Sequence, residues 1–254
     1  MKFSEPGLAA APEGGARTQS SALVERVRVD IVAGTLAPGT RLRLPDLAER
    51  YRSGINPLRE ALARLSATGL VLIEDQKGFR VSPVSREDLL DLTRVRIDIE
   101  CLALRQAIEH GDVEWEARVI ASHHRLTRMD LTAPGSPKTL SGAWEAMHQD
   151  FHLALISACQ SRWLIQFHNQ LAEQSARYRR LAIGHADVKR DIAGEHAEIV
   201  KAALARNAAR ACELVMAHFS RTAAVVLGEA GPSRPAVRAR RRNRPSDTLA
   251  PAES

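Results

Sequence analysis

Two histidines in one short segment have a spacing that suits metal binding. Residues 144–155 read WEAMHQDFHLAL, with apolar positions at helical spacing and with His148 and His152 four residues apart. Positions four apart lie on the same face of a helix, so both imidazoles would point the same way. A helical HxxxH pair can bring two nitrogens to one ion at about 2.0–2.1 Å. The alternative for each histidine is a hydrogen-bonded residue of the core.

Two later histidines extend this set to four. His196 in EHAEIVKAAL and His218 in MAHF each lie beside the apolar stripe of a helical pattern. Four imidazoles from three helices would form a cage for a divalent cation, and zinc and nickel both suit imidazole. The other histidines are predicted to lie in loops or on outward faces and are left out of the site: His110, His123, His124, His168 and His185.

A helical region is needed to position these side chains. Residues 84–228 contain successive amphipathic patterns, separated by a loop at residues 132–139 and by a break at Arg206-Asn207. They predict an all-α antiparallel bundle, and no apolar run reaches the roughly 18–20 residues of a membrane span. On the first of these helices, Arg96 and Glu100 are four apart and lie close together.

Residues 19–83 show a different pattern, three short helices followed by two strands. The third helix is predicted to begin at Asn56-Pro57, since asparagine is a good N-cap and proline suits the first turn. Residues 70–74 and 79–82 are predicted strands around the turn DQKG. This is the winged helix-turn-helix pattern, and the alternative is a small α+β domain used for protein contacts. The expected fold is therefore mainly α, with a winged helix-turn-helix before the bundle.

The third helix and the hairpin carry residue types that contact DNA. Such a helix fits the major groove with its first turn nearest the base edges, and a basic hairpin suits the backbone or the minor groove. The predicted DNA contacts are Asn56, Arg59 and Arg64 on the helix, and Lys77, Gly78 and Arg80 in the hairpin. Residues 19–80 hold ten Lys/Arg against seven Asp/Glu in a chain of net charge +6, which agrees with a polyanionic partner.

Both ends of the 254-residue chain are predicted to be disordered. Residues 1–18 are rich in Ala, Gly and Pro. The predicted tail is residues 229–254, and within it residues 231–254 carry six arginines against Asp247 and Glu253. The arginine-rich tail would either add non-specific affinity for phosphates or only keep the protein soluble. The first twenty residues have neither the basic start nor the sustained apolar core of a secretory signal, so we expect none there. The three widely spaced cysteines form no CxxC, and together these features predict reduced thiols and a cytoplasmic protein.

The N-terminal part resembles a known family. The stretches IVAGTLAPGTRLRLPDLAERY, NPLREALARLSATGLVLI and GFRV are similar to the winged-helix domain of GntR-family transcriptional regulators, over nearly all of residues 20–83. The resemblance implies a regulator that binds a double-stranded DNA operator. One departure is Gly54-Ile55, where the family often has a Ser-Arg pair. The base-reading arginine is therefore missing at Ile55 while Arg59 is retained, and the operator is expected to differ.

The C-terminal part, over about residues 86–226, resembles the all-helical FCD effector domain of the FadR branch of that family. REDLLDLTRVRIDIE, HQDFHLALISAC and EHAEIVKAALARNAARACELVMAHF carry the resemblance. In many such domains an acidic residue, a histidine four later and one histidine from each of the last two helices hold a divalent metal. The resemblance thus implies His148, His152, His196 and His218, with His148 in the place of the acidic residue. The pattern is more like the branch that contains the carbon-starvation-induced, glutarate-responsive regulators.

The histidine at position 148 has a consequence for the ligand. Four neutral imidazoles leave the charge of a divalent cation uncompensated, so the site should favour an anion. We expect a small carboxylate effector, in particular a dicarboxylate. Arg96 is placed to bind a carboxylate in a bidentate contact, or else it pairs with Glu100. Gln174 and Tyr178 are predicted to line the same pocket.

These features predict a ligand-responsive transcriptional regulator and not an enzyme. A homodimer would place two winged helices on a pseudo-palindromic operator, and repression would be relieved when the carboxylate binds. One alternative is a direct metal-ion sensor that uses the same four histidines. Another, a metal-dependent hydrolase, is disfavoured because HQDFH lacks the glutamate that follows the first histidine in HExxH. Asp150 would also lie on the opposite side of the helix from His152.

Overall fold

The structure is a computed structural model that describes residues 14–182 and 190–229. Its N-terminal elements are α1 (Gly14–Val32), β1 (Arg41–Leu42), α2 (Leu44–Tyr51), α3 (Ile55–Ala67), β2 (Val71–Glu74) and β3 (Gly78–Val81). β3 pairs antiparallel with both β1 and β2, which gives a three-stranded sheet in the order β1-β3-β2. The predicted winged helix-turn-helix is confirmed, and β1 adds a strand to the predicted hairpin.

Helix α3 packs on the rest of this N-terminal unit through an apolar stripe. Leu58 and Leu62 are four residues apart on that stripe and are fully buried. Gly54 has extended backbone geometry and precedes the helix as its N-cap, without a side-chain cap bond. The predicted N-cap at Asn56 is therefore wrong, because the helix already begins at Ile55 and the Asn56 side chain stands on its exposed first turn.

The C-terminal elements form a helical bundle with one small hairpin. They are α4 (Arg86–His110), α5 (Val113–Thr127), β4 (Thr132–Ala133), β5 (Ser136–Leu140), α6 (Gly142–Ile156), α7 (Arg162–Ala182), α8 (Ile192–Leu204) and α9 (Ala208–Val226). β4 and β5 pair antiparallel around Gly135, whose φ of +72° is in the region that favours glycine. The loop predicted at residues 132–139 is thus corrected to a hairpin, and the predicted bundle is all-α apart from it.

Helix α5 holds α6, the helix that carries His148 and His152, in place. Trp115 on α5 and Leu155 on α6 are fully buried in the core of the bundle. The indole Nε1 of Trp115 also donates to the backbone oxygens of Ala154 and Leu155, at 3.1 and 3.2 Å. Both the apolar packing and these hydrogen bonds therefore fix the C-terminal end of α6.

Helix α7 contacts both the bundle and the N-terminal unit. Gln174 Nε2 donates to the backbone oxygen of Thr68 at 2.8 Å, and the Arg177 guanidinium donates to the backbone oxygen of Ser82. Between them, Ala176 packs into the apolar core of the N-terminal unit. A change in the position of α7 would therefore act on the winged helix-turn-helix directly.

The predicted division of the chain into domains stays a prediction. α1 begins at Gly14, inside the arm predicted for residues 1–18, and the rest of that arm lies outside the described residues. The predicted tail does so too from residue 230 onward. Among the helices of residues 14–182 and 190–229, none has the length and the apolar character needed to span a bilayer.

Gly111, between α4 and α5, lets the two helices lie close together. A Cβ at this position would come within 2.4 Å of Trp115 Cε3 and 2.6 Å of the Ala107 backbone oxygen. We expect Gly111→Ala to lower the free energy of unfolding by about 1–3 kcal/mol, because the buried indole must move. Gly142→Ala is the matched control, since a Cβ there meets no described atom within 4 Å. Equal effects of the two substitutions in urea unfolding would contradict this account.

Candidate metal centre

Four histidine side chains from three helices meet inside the bundle. α6 carries His148 and His152 one turn apart, α8 carries His196, and α9 carries His218. None of the four is more than 2% exposed. One ring nitrogen from each lies within 4.8 Å of those from the other three. The structure therefore brings together the four residues that the sequence selected as candidate ligands, and we call them the histidine cluster.

Two rings of the histidine cluster have a nitrogen without a hydrogen-bond partner. Within the two described ranges, nothing bonds to Nδ1 of His148 or to Nε2 of His152. The Nε2 atoms of His196 and His218 face each other at 3.3 Å. A buried polar atom without a partner costs about 1–3 kcal/mol. A metal ion fits this arrangement, because four imidazole nitrogens suit a divalent cation such as zinc or nickel.

Carboxylates lie directly behind two of the four rings. Glu100 Oε1 lies 2.8 Å from Nδ1 of His152, and Glu195 Oε2 lies 2.8 Å from Nδ1 of His218. A ring whose Nδ1 donates to a carboxylate presents its Nε2 lone pair, and metal-binding histidines are commonly oriented in this way. No local spacing in the sequence reveals these contacts, since each carboxylate reaches a histidine on a different helix.

A fifth histidine, His168 on α7, belongs to the same network. It is 1% exposed, and its Nδ1 lies 2.6 Å from the second oxygen of Glu100. The prediction that His168 lies in a loop or on an outward face is therefore wrong. Its spacing of four from both Leu164 and Ala172, which are buried, was the available signal. Of the other histidines left out, His110 and His124 are exposed, His123 is half-buried, and His185 lies outside the described residues.

Burial keeps the histidine cluster neutral, while two neighbouring histidines keep Glu100 charged. It lowers the pKa of His148 and His196 well below the usual range, and the neighbouring histidines add to this effect. Burial would raise the pKa of the Glu100 carboxyl, but His168 and His152 outweigh it and hold the pKa well below its usual range. The cluster thus consists of imidazoles in the form that binds a metal, backed by an ionised carboxylate.

Arg96, predicted to bind the effector, is buried beside the histidine cluster. Its guanidinium lies 3.9 Å from the ring centre of Phe219 and donates to Ser175 Oγ at 3.0 Å. The alternative of an Arg96–Glu100 pair is not formed, and both oxygens of Glu100 instead contact histidines. No described carboxylate lies within ion-pair distance of Arg96, and burial lowers the pKa of this residue to about 10. A guanidinium buried in this way is a candidate anion site.

The other two predicted effector contacts lie in different places. Tyr178 lines a cavity of about 10 Å³ next to Arg96, although its hydroxyl already donates to Asp88. Gln174 does not line this cavity, because its side-chain amide donates to Thr68 at the contact between α7 and the N-terminal unit. Its predicted place in the pocket is therefore corrected, and its position suits communication between the two parts of the chain.

The predicted DNA contacts on α3 lie on its exposed face. Asn56 and Arg59 are exposed on the first turns of the helix, where a major groove would meet them. Arg64 is exposed as well, but its guanidinium pairs with Glu60 at 2.5 Å. Arg59 is thus better placed than Arg64 to contact a base, and Arg64 must leave Glu60 to do so.

The predicted contacts in the hairpin between β2 and β3 are not equivalent either. Lys77 is exposed beside Gly78, whose φ of +87° is the conformation that this turn requires. Arg80 is half-buried, with Nε donating to Glu74 Oε1 at 2.7 Å and Nη1 donating to the backbone oxygen of Gly39 at 2.6 Å. The side chain of Arg80 therefore stabilises the hairpin, whereas Lys77 is exposed and forms an ion pair with no residue of the described ranges.

Comparisons with known proteins match both parts of the chain. Residues 19–81 match the gntR family of bacterial regulatory proteins, and residues 91–221 match the FCD domain. The chain is 44% identical over 215 residues to the uncharacterized HTH-type transcriptional regulator BphR of Paraburkholderia xenovorans, covering 85% of this chain and 88% of that protein. It is 38% identical to the HTH-type transcriptional repressor GlaR of Escherichia coli, covering 75% and 87%.

Solved structures share the fold. The similarity to McbR/YncC of E. coli has a TM-score of 0.67 at 18% identity, and covers 84% of this chain and 98% of that chain. A GntR-type putative transcriptional regulator from Rhodococcus sp. RHA1 gives a TM-score of 0.63 at 23% identity, covering 83% and 98%. At these identities the likeness concerns the fold alone.

One buried ion pair beside Arg96 generates a prediction about stability. Arg179 Nε donates to Glu145 Oε2 at 3.1 Å, and both side chains are almost fully buried. Arg179→Met would leave Glu145 buried without its cation, so we expect the free energy of unfolding to fall by about 3–5 kcal/mol. The exposed pair of Arg64 and Glu60 provides the control, and Arg64→Met should cost no more than about 1 kcal/mol. Similar losses for both variants in denaturant unfolding would show that the buried pair is dispensable.

Proposed function

The chain belongs to the gntR family of bacterial regulatory proteins with an FCD domain, and we propose that it is a metal-containing, carboxylate-responsive repressor. The family and the relatives that it matches are transcriptional regulators and not enzymes, and this chain is likewise a DNA-binding transcriptional regulator. The observation that carries the proposal is the convergence of four buried imidazoles at one point, beside a buried guanidinium without a carboxylate partner among the described residues. The name of GlaR as a repressor supports the sign of the regulation.

The histidine cluster would hold the metal. His148, His152, His196 and His218 supply neutral nitrogen ligands, and zinc or nickel suits them. When bound, the ion supplies a positive centre that a carboxylate oxygen can approach. Glu100 and Glu195 keep two of the rings oriented from behind.

Arg96 would bind a second carboxylate of the effector. Its guanidinium is 4% exposed, and among the described residues only the Ser175 hydroxyl accepts a hydrogen bond from it. Burial of a cation without a counter-ion lowers the stability of the folded protein, and a bound carboxylate would offset much of that loss. A dicarboxylate could use one carboxylate at the metal and the other at Arg96, which is why we propose that class of acid.

Binding of such an acid requires movement. The cavity beside Arg96 has a volume of about 10 Å³, roughly the space of one water molecule. An acid with several carbon atoms would therefore displace side chains of α4, α7 or α9. A ligand shifts the equilibrium between two arrangements of a protein only as far as it binds one of them more tightly. The displaced side chains would make the arrangement with the acid bound differ from the arrangement without it.

Helix α7 would transmit the movement to the DNA-binding unit. Ser175 and Arg179 lie on the side of α7 that faces the cavity, while Gln174 and Arg177 donate to backbone oxygens of the N-terminal unit. We propose a homodimer with one winged helix on each half of a pseudo-palindromic operator, acting in the cytoplasm. A shift of α7 would change how the two winged helices stand relative to the two half-sites.

Operator affinity measured by fluorescence anisotropy tests the effector. With the zinc-loaded protein, we expect a dicarboxylate in a series of short-chain acids to weaken operator binding about 5–150-fold, the usual range of allosteric coupling. His152→Ala should lose the response because metal binding fails. Arg96→Met should bind zinc normally but lose the response to the acid.

One control variant and two outcomes test this proposal against its alternatives. His124→Ala, which removes an exposed histidine of α5, is the control and should respond as the wild type does. A change in operator affinity with zinc alone, to which no acid adds, would instead favour a direct metal-ion sensor. No response to metal or to any acid of the series would refute the proposal.

The α3 helix and the hairpin generate a prediction about DNA. Arg59→Ala should weaken binding of the operator by about 1–3 kcal/mol and relax specificity at one base pair, because Arg59 is exposed on α3 and bonds to no other side chain that the structure describes. Lys77→Ala should weaken the binding of all DNA sequences alike. It should also reduce by about one the slope of the logarithm of DNA affinity against the logarithm of salt concentration. Arg94→Ala on α4 is the control, since Arg94 is exposed far along the chain from α3 and pairs with Asp91. An Arg59→Ala variant with unchanged operator preference would remove this residue from base recognition.

A further inference from the structure

The carboxylate of Glu100 is shared by two histidines from two other helices. Glu100 on α4 is 1% exposed, and its Oε1 lies 2.8 Å from Nδ1 of His152 on α6. Its Oε2 lies 2.6 Å from Nδ1 of His168 on α7. Three helices of the bundle thus meet at one buried carboxyl group, and each of its oxygens lies within hydrogen-bond distance of one imidazole nitrogen.

This arrangement fixes the tautomer of His152. A carboxylate only accepts hydrogen bonds, so the Nδ1 of His152 must carry the proton. In a neutral imidazole the Nε2 then has the lone pair, and that atom lacks a partner among the described groups. Rotation of the Glu100 carboxylate would break this bond, and any group that holds the second oxygen opposes the rotation.

The other carboxylate behind the histidine cluster is held in a comparable way. Glu195 contacts Nδ1 of His218 at 2.8 Å, and its other oxygen accepts from Arg190 Nε at 2.9 Å. Arg190 thus fixes the Glu195 carboxylate, whereas no described arginine or lysine contacts Glu100. His168 contacts the second oxygen of Glu100, as Arg190 contacts the second oxygen of Glu195.

We infer that His168 is a positioning residue for the metal site, holding Glu100 so that His152 presents its Nε2 to the ion. The inference rests on the proposed metal site. His168 also lies on α7, the helix that contacts the N-terminal unit through Gln174 and Arg177. Because His168 and His152 both contact Glu100, the orientation of the His152 ring depends on the position of α7.

Two substitutions at position 168 test the inference. The side-chain amide nitrogen of asparagine can take the place of the imidazole Nδ1 and donate to Glu100, whereas leucine cannot. Zinc affinity is measured by competition with a chromophoric chelator. We expect His168→Leu to lose about 10–100-fold in affinity, the usual effect of removing such an outer contact, and His168→Asn to retain most of it. The visible spectrum of the cobalt-substituted protein should change in His168→Leu and stay close to that of the wild type in His168→Asn.

His123→Asn is the matched control, because His123 is half-buried against Phe151, at 5.6 Å between ring centres, and the histidines that contact Glu100 are His152 and His168. Equal zinc affinities of His168→Leu and His168→Asn would overturn the inference. A wild-type protein that binds no zinc would instead refute the proposed metal site. If His168→Leu does not fold, Glu100→Gln replaces it, since the amide can accept from only one of the two rings. Unchanged zinc affinity in Glu100→Gln would overturn the inference equally.

Discussion

The bundle depends on satisfying polar groups that it buries. Where α4, α6, α8 and α9 meet, the core contains the histidine cluster, the carboxylate of Glu100 and the guanidinium of Arg96. In most helical bundles such positions hold apolar side chains. Each such group must find hydrogen-bond partners inside the protein or reduce its stability. Glu100 and Glu195 meet this requirement for His152 and His218 on the outer side of the rings. On the inner side, Nδ1 of His148 and Nε2 of His152 have no partner among the described groups, and the proposed metal ion would complete the core there.

The two outer carboxylates also change the charge balance of the site. Four neutral imidazoles alone would leave the charge of a divalent cation uncompensated, and the sequence therefore predicts an anionic group in the open positions of the metal site. Glu100 and Glu195 instead place two negative charges one hydrogen bond behind the ligand nitrogens. The preference for a carboxylate effector therefore rests less on the ion than on Arg96, whose buried charge has no carboxylate within ion-pair distance in the described ranges.

Periodic patterns in the sequence were sufficient for the helices and for the histidine cluster. His148 and His152 share a face because they are four apart, and His196 and His218 lie beside apolar stripes, so burial followed from local spacing. Contacts between helices could not be found in this way. The sharing of Glu100 by His152 and His168 joins residues 52 and 68 positions apart. The hydrogen bond from Arg80 to Glu74 joins residues only six positions apart, but it forms only in the observed register of β2 and β3.

The proposed link between an effector bound at Arg96 and DNA requires only a few contacts. Allosteric coupling of about 1–3 kcal/mol changes an affinity about 5–150-fold, and a hydrogen bond contributes about 0.5–1.5 kcal/mol. Helix α7 donates to the backbone oxygens of Thr68 and Ser82 through Gln174 and Arg177. The loss of both bonds in one arrangement of α7 therefore lies within the range that regulation needs. Because Ser175 stands between these two residues and accepts from Arg96, a ligand at the guanidinium acts within one helical turn of both contacts.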